Sequence, residues 1–107
     1  MILKIFVDEH EQEINVPDNI LTDAKDYFDM LDKDMDQGYQ MSRDWVESPD
    51  QLQRCQIVSE RILTALENDN KETGTLMAGY ILSRVPNAHA MHLNLEGDMT
   101  MYDLETR

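Results

Sequence analysis

Residues 17–36 read PDNILTDAKDYFDMLDKDMD. Within this stretch Ile20, Leu21, Ala24, Tyr27, Phe28, Leu31 and Met35 recur at three- and four-residue steps. That spacing lays apolar side chains along one stripe of an amphipathic helix. Pro17 closes the segment before it, and Asp18 or Asn19 can cap the helix start. The same stretch carries Asp18, Asp23, Asp26, Asp29, Asp32, Asp34 and Asp36, relieved only by Lys25 and Lys33. A helix sorts the two sets: the apolar stripe seals against the rest of the molecule, and the acids form a ridge beside it. Gly38 costs about 1 kcal/mol inside a helix and suits a C-terminal stop. The pattern therefore favours a break or kink at Gly38 over a helix continuing through Ser42 and Trp45.

Upstream, residues 2–8 (ILKIFVD) alternate, with Leu3, Ile5 and Val7 on one face and Ile2, Lys4 and Phe6 on the other. This is the period of a strand with one buried face. Residues 11–16 (EQEINV) alternate more weakly, and the intervening DEHE allows a hairpin turn. Downstream, Ser48-Pro49-Asp50-Gln51 marks a boundary: serine as the cap, proline at the first helical position, and glutamine completing a capping box. A helix is predicted from there to about residue 67, with Leu52, Cys55, Val58, Ile62, Leu63 and Leu66 on its stripe. After the polar turn Asn68-Asp69-Asn70, a third helix runs to about Arg84. Its Ala78 and Gly79 permit close backbone approach, and Pro86 ends it. The short connection makes these two helices antiparallel neighbours. Residues 89–95 alternate as a strand, Gly97-Asp98 allows a two-residue turn, and residues 99–104 return as a last strand. Strands, then helices, then strands imply a single α+β domain over residues 1–107. Its small, partly antiparallel sheet is built from N- and C-terminal strands, with about three amphipathic helices packed on one face.

The chain has 107 residues and a formal charge of -13, from 22 acids and nine bases. Fourteen of the acids precede residue 51, against four of the bases. Such a field repels nucleic-acid phosphates and anionic membrane surfaces, which argues against direct nucleic-acid or membrane binding and is electrostatically compatible with a basic protein partner or a divalent cation. An acidic surface also serves solubility alone. The single cysteine, Cys55, permits no internal disulfide, which fits a reducing compartment. The N-terminus lacks the pattern of a signal peptide, so a cytoplasmic location is expected.

Candidate sites are few. Asp32-Lys33-Asp34-Met35-Asp36-Gln37-Gly38 resembles the opening of an EF-hand calcium loop, whose carboxylates alternate before a glycine. The match fails where the motif needs glycine sixth, since Gln37 stands there, and where it needs an acid twelfth, since Arg43 stands there; Asp44 fits only with an insertion. On a helix Asp32 and Asp36 share a face while Asp34 points elsewhere. Divalent-cation binding through Asp32, Asp34, Asp36 and Asp44 is therefore the lesser alternative, and no metal or other cofactor is expected. His89 and His92 stand three apart in a predicted strand and so face opposite ways. Cys55 lies on an apolar stripe, where a thiol behaves as a small hydrophobe. No nucleophile elbow, phosphate loop or dinucleotide fingerprint occurs, so no catalytic residue can be named and a small enzyme with an unseen site is the last alternative.

What stands out is the acidic ridge Asp23, Asp26, Asp29, Asp32 and Asp36, together with Arg43 and Trp45. Like charges at these spacings weaken a helix by a few tenths of a kcal/mol per pair. Tryptophan and arginine are favoured interface anchors, and Tyr39 and Met41 would extend that patch. Packing of Trp45 over the following helix is nevertheless the default for a residue that usually buries most of its area. The expectation is a non-catalytic interaction or regulatory module that meets a basic or amphipathic protein partner and is able to form a homodimer.

Overall fold

In the computed structural model, which describes residues 1–107, alternation at the N-terminus forms β1 (Ile2–Val7) and β2 (His10–Asn15). They pair antiparallel, with Ile5 opposite Gln12. The tight connection between them puts Asp8 at φ 53°, a left-handed conformation that aspartate tolerates better than most residues. β5 (Ala88–Leu93) lies parallel to β1, and β6 (Asp103–Thr106) antiparallel to β5, giving the sheet order β2-β1-β5-β6. Leu3, Ile5, Val7, Met91 and Leu93 are buried on the inner face of this sheet. Ile2, Lys4, Phe6 and His92 lie on the other face, which no helix covers.

The helices pack against the inner face. The stretch 18–36 is helical, but as two pieces: α1 (Asp18–Asp23) and α2 (Lys25–Asp36). Ala24 leaves helical geometry at φ -96°, ψ 13°, while its N–H still donates to the Ile20 carbonyl. The apolar stripe thus crosses the junction unbroken, and Phe28, Leu31 and Met35 are buried. Neither Asp18 nor Asn19 is the cap; Pro17 occupies that position without a side-chain bond. The Asp18 carboxylate instead meets the N-terminal amine at 3.5 Å. α2 stops where glycine allows it to, with Gly38 at φ 100°.

α3 (Gln51–Glu67) and α4 (Lys71–Arg84) pack on each other across the three-residue turn between them. The cap of α3 is Asp50, not Ser48: its side chain accepts from the Gln53 N–H while the Gln53 side chain accepts from the Asp50 N–H. Asp50 is the residue with a free carboxylate one step before the helix, and Gln53 stands at the third helical position that a capping box requires. Gly79 lets α4 approach α1 and α2, since a Cβ there would lie 3.1 Å from Phe28 Cζ and 3.3 Å from Ile20 Cγ2. Each large side chain buried between sheet and helices contributes about 1.5–3 kcal/mol.

Two connections differ from expectation. Residues 39–46 form a separate two-stranded hairpin, β3 (Tyr39–Met41) and β4 (Asp44–Val46). The return to β6 is not a two-residue turn; Gly97 bends the chain at φ 81° and a 3-10 turn over Met99–Met101 intervenes. That turn buries Met99 and brings Gln56 of α3 within reach of the Thr100 and Tyr102 carbonyls, to which its amide donates at 3.3 and 2.9 Å. No helix is long and apolar enough to cross a membrane.

Candidate functional site

Helical spacing places Asp29, Asp32 and Asp36 on one side of α2, and that side faces two arginines from the neighbouring helices. Asp32 is the hub. Its Oδ1 accepts from Arg54 Nη1 at 3.0 Å and from the Tyr80 hydroxyl, and its Oδ2 accepts from Arg84 Nε at 3.0 Å. Arg54 also bonds Asp36 and the carbonyls of Asp32 and Pro49, and Arg84 also bonds Asp29 at 2.9 Å. The Arg84 guanidinium stands over the Tyr80 ring, 5.3 Å from its centroid. One aspartate thus fastens α2 to both α3 and α4.

Burial pulls the Asp32 carboxyl upward, but the bonds from Tyr80, Arg54 and Arg84 outweigh it and the net shift is downward. Burial is the leading influence on both arginines too, and it is again outweighed, so both are raised by their carboxylates. Tyr80 is raised by burial and by Asp32. Cys55, beside Gln51 on the same helix, is pushed by burial to about 11. Each of these shifts carries its group away from neutrality, and general acid–base chemistry needs a group near the working pH. The cluster is a clamp.

The acidic ridge is therefore divided. Asp29, Asp32 and Asp36 are matched by cations of the same chain. Asp23 and Asp26 stay exposed, Asp23 bonded only to Asn19 at 3.3 Å. Among the residues of the calcium-loop resemblance, Asp32 and Asp36 share Arg54, Asp34 is exposed elsewhere on α2, and Asp44 begins β4. No three His, Cys, Asp or Glu side chains gather where they could hold a metal ion. His92 stacks on Phe6, with ring centroids 4.7 Å apart and an interplanar angle of 8°, and meets Glu105 at 2.9 Å.

Trp45 does not pack over α3. Gln40 pairs with Trp45, Tyr39 with Val46 and Met41 with Asp44, so Gln40 and Trp45 share one face of the hairpin. Met41, Tyr39 and Val46 pack against the core on the other face, and strand parity then turns Trp45 outward. It is 59% exposed. For the same reason Tyr39 and Met41 do not extend the patch. The indole lies against Gly38, where a Cβ would come within 2.5 Å of Cζ2. One part of the ring system is seated on backbone while much of the rest faces solvent.

The hairpin tip is tied to the 94–101 segment. Ser42, at φ 55°, donates from Oγ to Asp98 Oδ1 at 2.7 Å, and Gln40 Nε2 donates to the Ser42 carbonyl at 3.1 Å. Bonds from Thr100 and Ser42 hold the Asp98 carboxyl below its ordinary value. A polar notch of about 440 Å³ separates the two segments, walled by Arg43, Asp44, Glu96 and Asp98 among others. Leu95 and Met101, 63% and 69% exposed, are the chain neighbours of its lining residues Glu96 and Thr100. Sequence reasoning singled out Trp45 and Arg43 but not this second segment, whose large apolar residues in a short polar loop were the available signal. Compared with protein-family models, curated proteins and solved structures, the chain matches none.

Proposed function

We propose that this protein is a non-catalytic interaction module whose docking surface is the end bearing Trp45, and that its partner is a basic, amphipathic segment of another protein. The observation that carries this reading is the setting of Trp45: largely exposed, yet held in place by Gly38. A tryptophan usually buries most of its surface, and a pre-positioned aromatic ring loses little freedom on binding. Leu95 and Met101 are exposed on the segment tied to the hairpin tip, and Asp44, Glu47, Glu96 and Asp98 lie on these same two stretches of chain with Arg43 the one base. Exposed apolar side chains on acidic segments complement lysines and arginines beside a hydrophobic helix face. The ridge contributes Asp23 and Asp26 to long-range attraction, since its other members are matched internally. A regulatory role and a cytoplasmic setting accord with this reading.

The only tryptophan of the chain is its own reporter. Titration with a synthetic lysine–leucine amphipathic helix should shift Trp45 emission to the blue, and added salt should weaken the effect. An equally charged peptide with its leucines scrambled should do neither. Equal responses to both peptides, or none to either, would refute the reading.

A further inference from the structure

We propose that the recess between α2, the β3–β4 hairpin and the α3–α4 pair is a binding site for a small organic carboxylate with an aromatic body. The recess has a volume of about 460 Å³ and is walled by Tyr27, Tyr39, Glu60, Arg61, Thr73 and Met77, among others. That volume lies within the range of small-molecule sites.

Arg61 is the unexplained group. Three arginines stand on α3 and α4. Arg54 and Arg84 are tied into the Asp32 clamp. Arg61 is half-buried like them, yet it forms no salt bridge and donates no hydrogen bond to the protein. The residues three and four positions away on α3 are Ile57, Val58, Thr64 and Ala65, so no acid lies at helical contact spacing. In a chain with 22 acids, a half-buried arginine left unmatched beside a recess is able to bind an anion. Its planar fork fits a carboxylate. Tyr27 and Tyr39 are half-buried at this recess, and neither hydroxyl bonds within the protein. Their rings, with Met77, provide the apolar wall for a flat body.

The charge of the ligand is bounded by Glu60. One of its oxygens accepts from the Tyr102 hydroxyl at 2.6 Å, and Glu60 lines the recess together with Arg61. With the overall charge of -13, it disfavours dianions, so a monocarboxylate is preferred over a phosphate ester.

The test is a titration followed by two-dimensional amide NMR, with benzoate as the probe, benzamide as its uncharged counterpart and phenyl phosphate as the dianion. Benzoate should shift the amides of residues 61, 64 and 73 with an affinity of about 1 mM, ordinary for so small a ligand. Benzamide and phenyl phosphate should bind at least tenfold more weakly. Arg61→Gln should abolish the benzoate response, while Arg61→Lys keeps part of it; both should melt close to the parent protein, because each keeps most of the aliphatic stem and Arg61 has no salt bridge or side-chain hydrogen bond to lose. Failure of benzoate to bind, equal binding of benzamide, tighter binding of phenyl phosphate, or an unchanged response in Arg61→Gln would each overturn the proposal. None of these results depends on Trp45.

Discussion

The indole of Trp45 rests on Gly38, the residue that ends α2, so closely that no β-carbon fits between them. Helix stop and exposed aromatic are thus one structural unit. Gly38→Ala places a methyl carbon 2.5 Å from Trp45 Cζ2 and forces a non-glycine residue to φ 100°. We expect a stability loss of about 1–3 kcal/mol together with greater mobility of the ring. Time-resolved anisotropy of Trp45 checks the second effect, and denaturant unfolding the first.

Asp32 predicts a specific acid response. Its folded pKa is lowered from the ordinary 3.8, so its contribution to stability is complete above that value. The contribution fades as pH falls through the lower, folded value. Asp32→Asn should remove this part of the acid transition. It should also cost about 2–3 kcal/mol at neutral pH, because Arg54 and Arg84 lose their shared carboxylate in a partly buried setting. Unfolding followed between pH 2 and 7 should show a flatter profile for the variant. An unchanged profile would mean that Asp32 is not the hub.

At the hairpin tip, backbone strain and a side-chain bond oppose one another. Ser42→Ala loses the bond to Asp98 and keeps the left-handed backbone at φ 55°. Ser42→Gly loses the same bond but relieves strain of about 1 kcal/mol. The glycine variant should therefore melt above the alanine variant. The reverse order would show that residue 42 does not hold this conformation in solution.

Gly79 is where α4 meets α1 and α2. Gly79→Leu drives a branched side chain into Phe28 and Ile20 and should cost more than about 3 kcal/mol. Gly79→Ala trades a tight 3.1 Å contact against a better helix former, a gain of about 1 kcal/mol, and should change stability much less. Thermal melts of the two variants separate these outcomes.

Much of the fold is legible because its patterns are long. Leu3, Ile5 and Val7 alternate over a full strand, and the stripe from Ile20 to Met35 persists for four turns, so each element announces both its type and its buried face. Gly38 and Asn68-Asp69-Asn70 stop their helices by local chemistry. What escapes is either short or distant. A hairpin of two three-residue strands shows no measurable period, so the parity that exposes Trp45 and buries Met41 is invisible until the pairing is known. The same shortness hides the 3-10 turn at Met99. The Asp32 clamp joins residues 22, 48 and 52 positions apart, and no local spacing signals such pairings. The ridge of aspartates was therefore legible, while its division into matched and free acids was not.

The most direct measurement is photo-crosslinking in the native cell with a benzophenone amino acid placed at position 40, which shares the Trp45 face of the hairpin, and, separately, at position 26. The account predicts one predominant adduct from position 40, to a protein with a basic amphipathic segment, that is weakened by Asp44→Lys with Glu96→Lys and is absent from position 26. Equal adducts from both positions, an adduct indifferent to those charge reversals, or none from position 40 would contradict it.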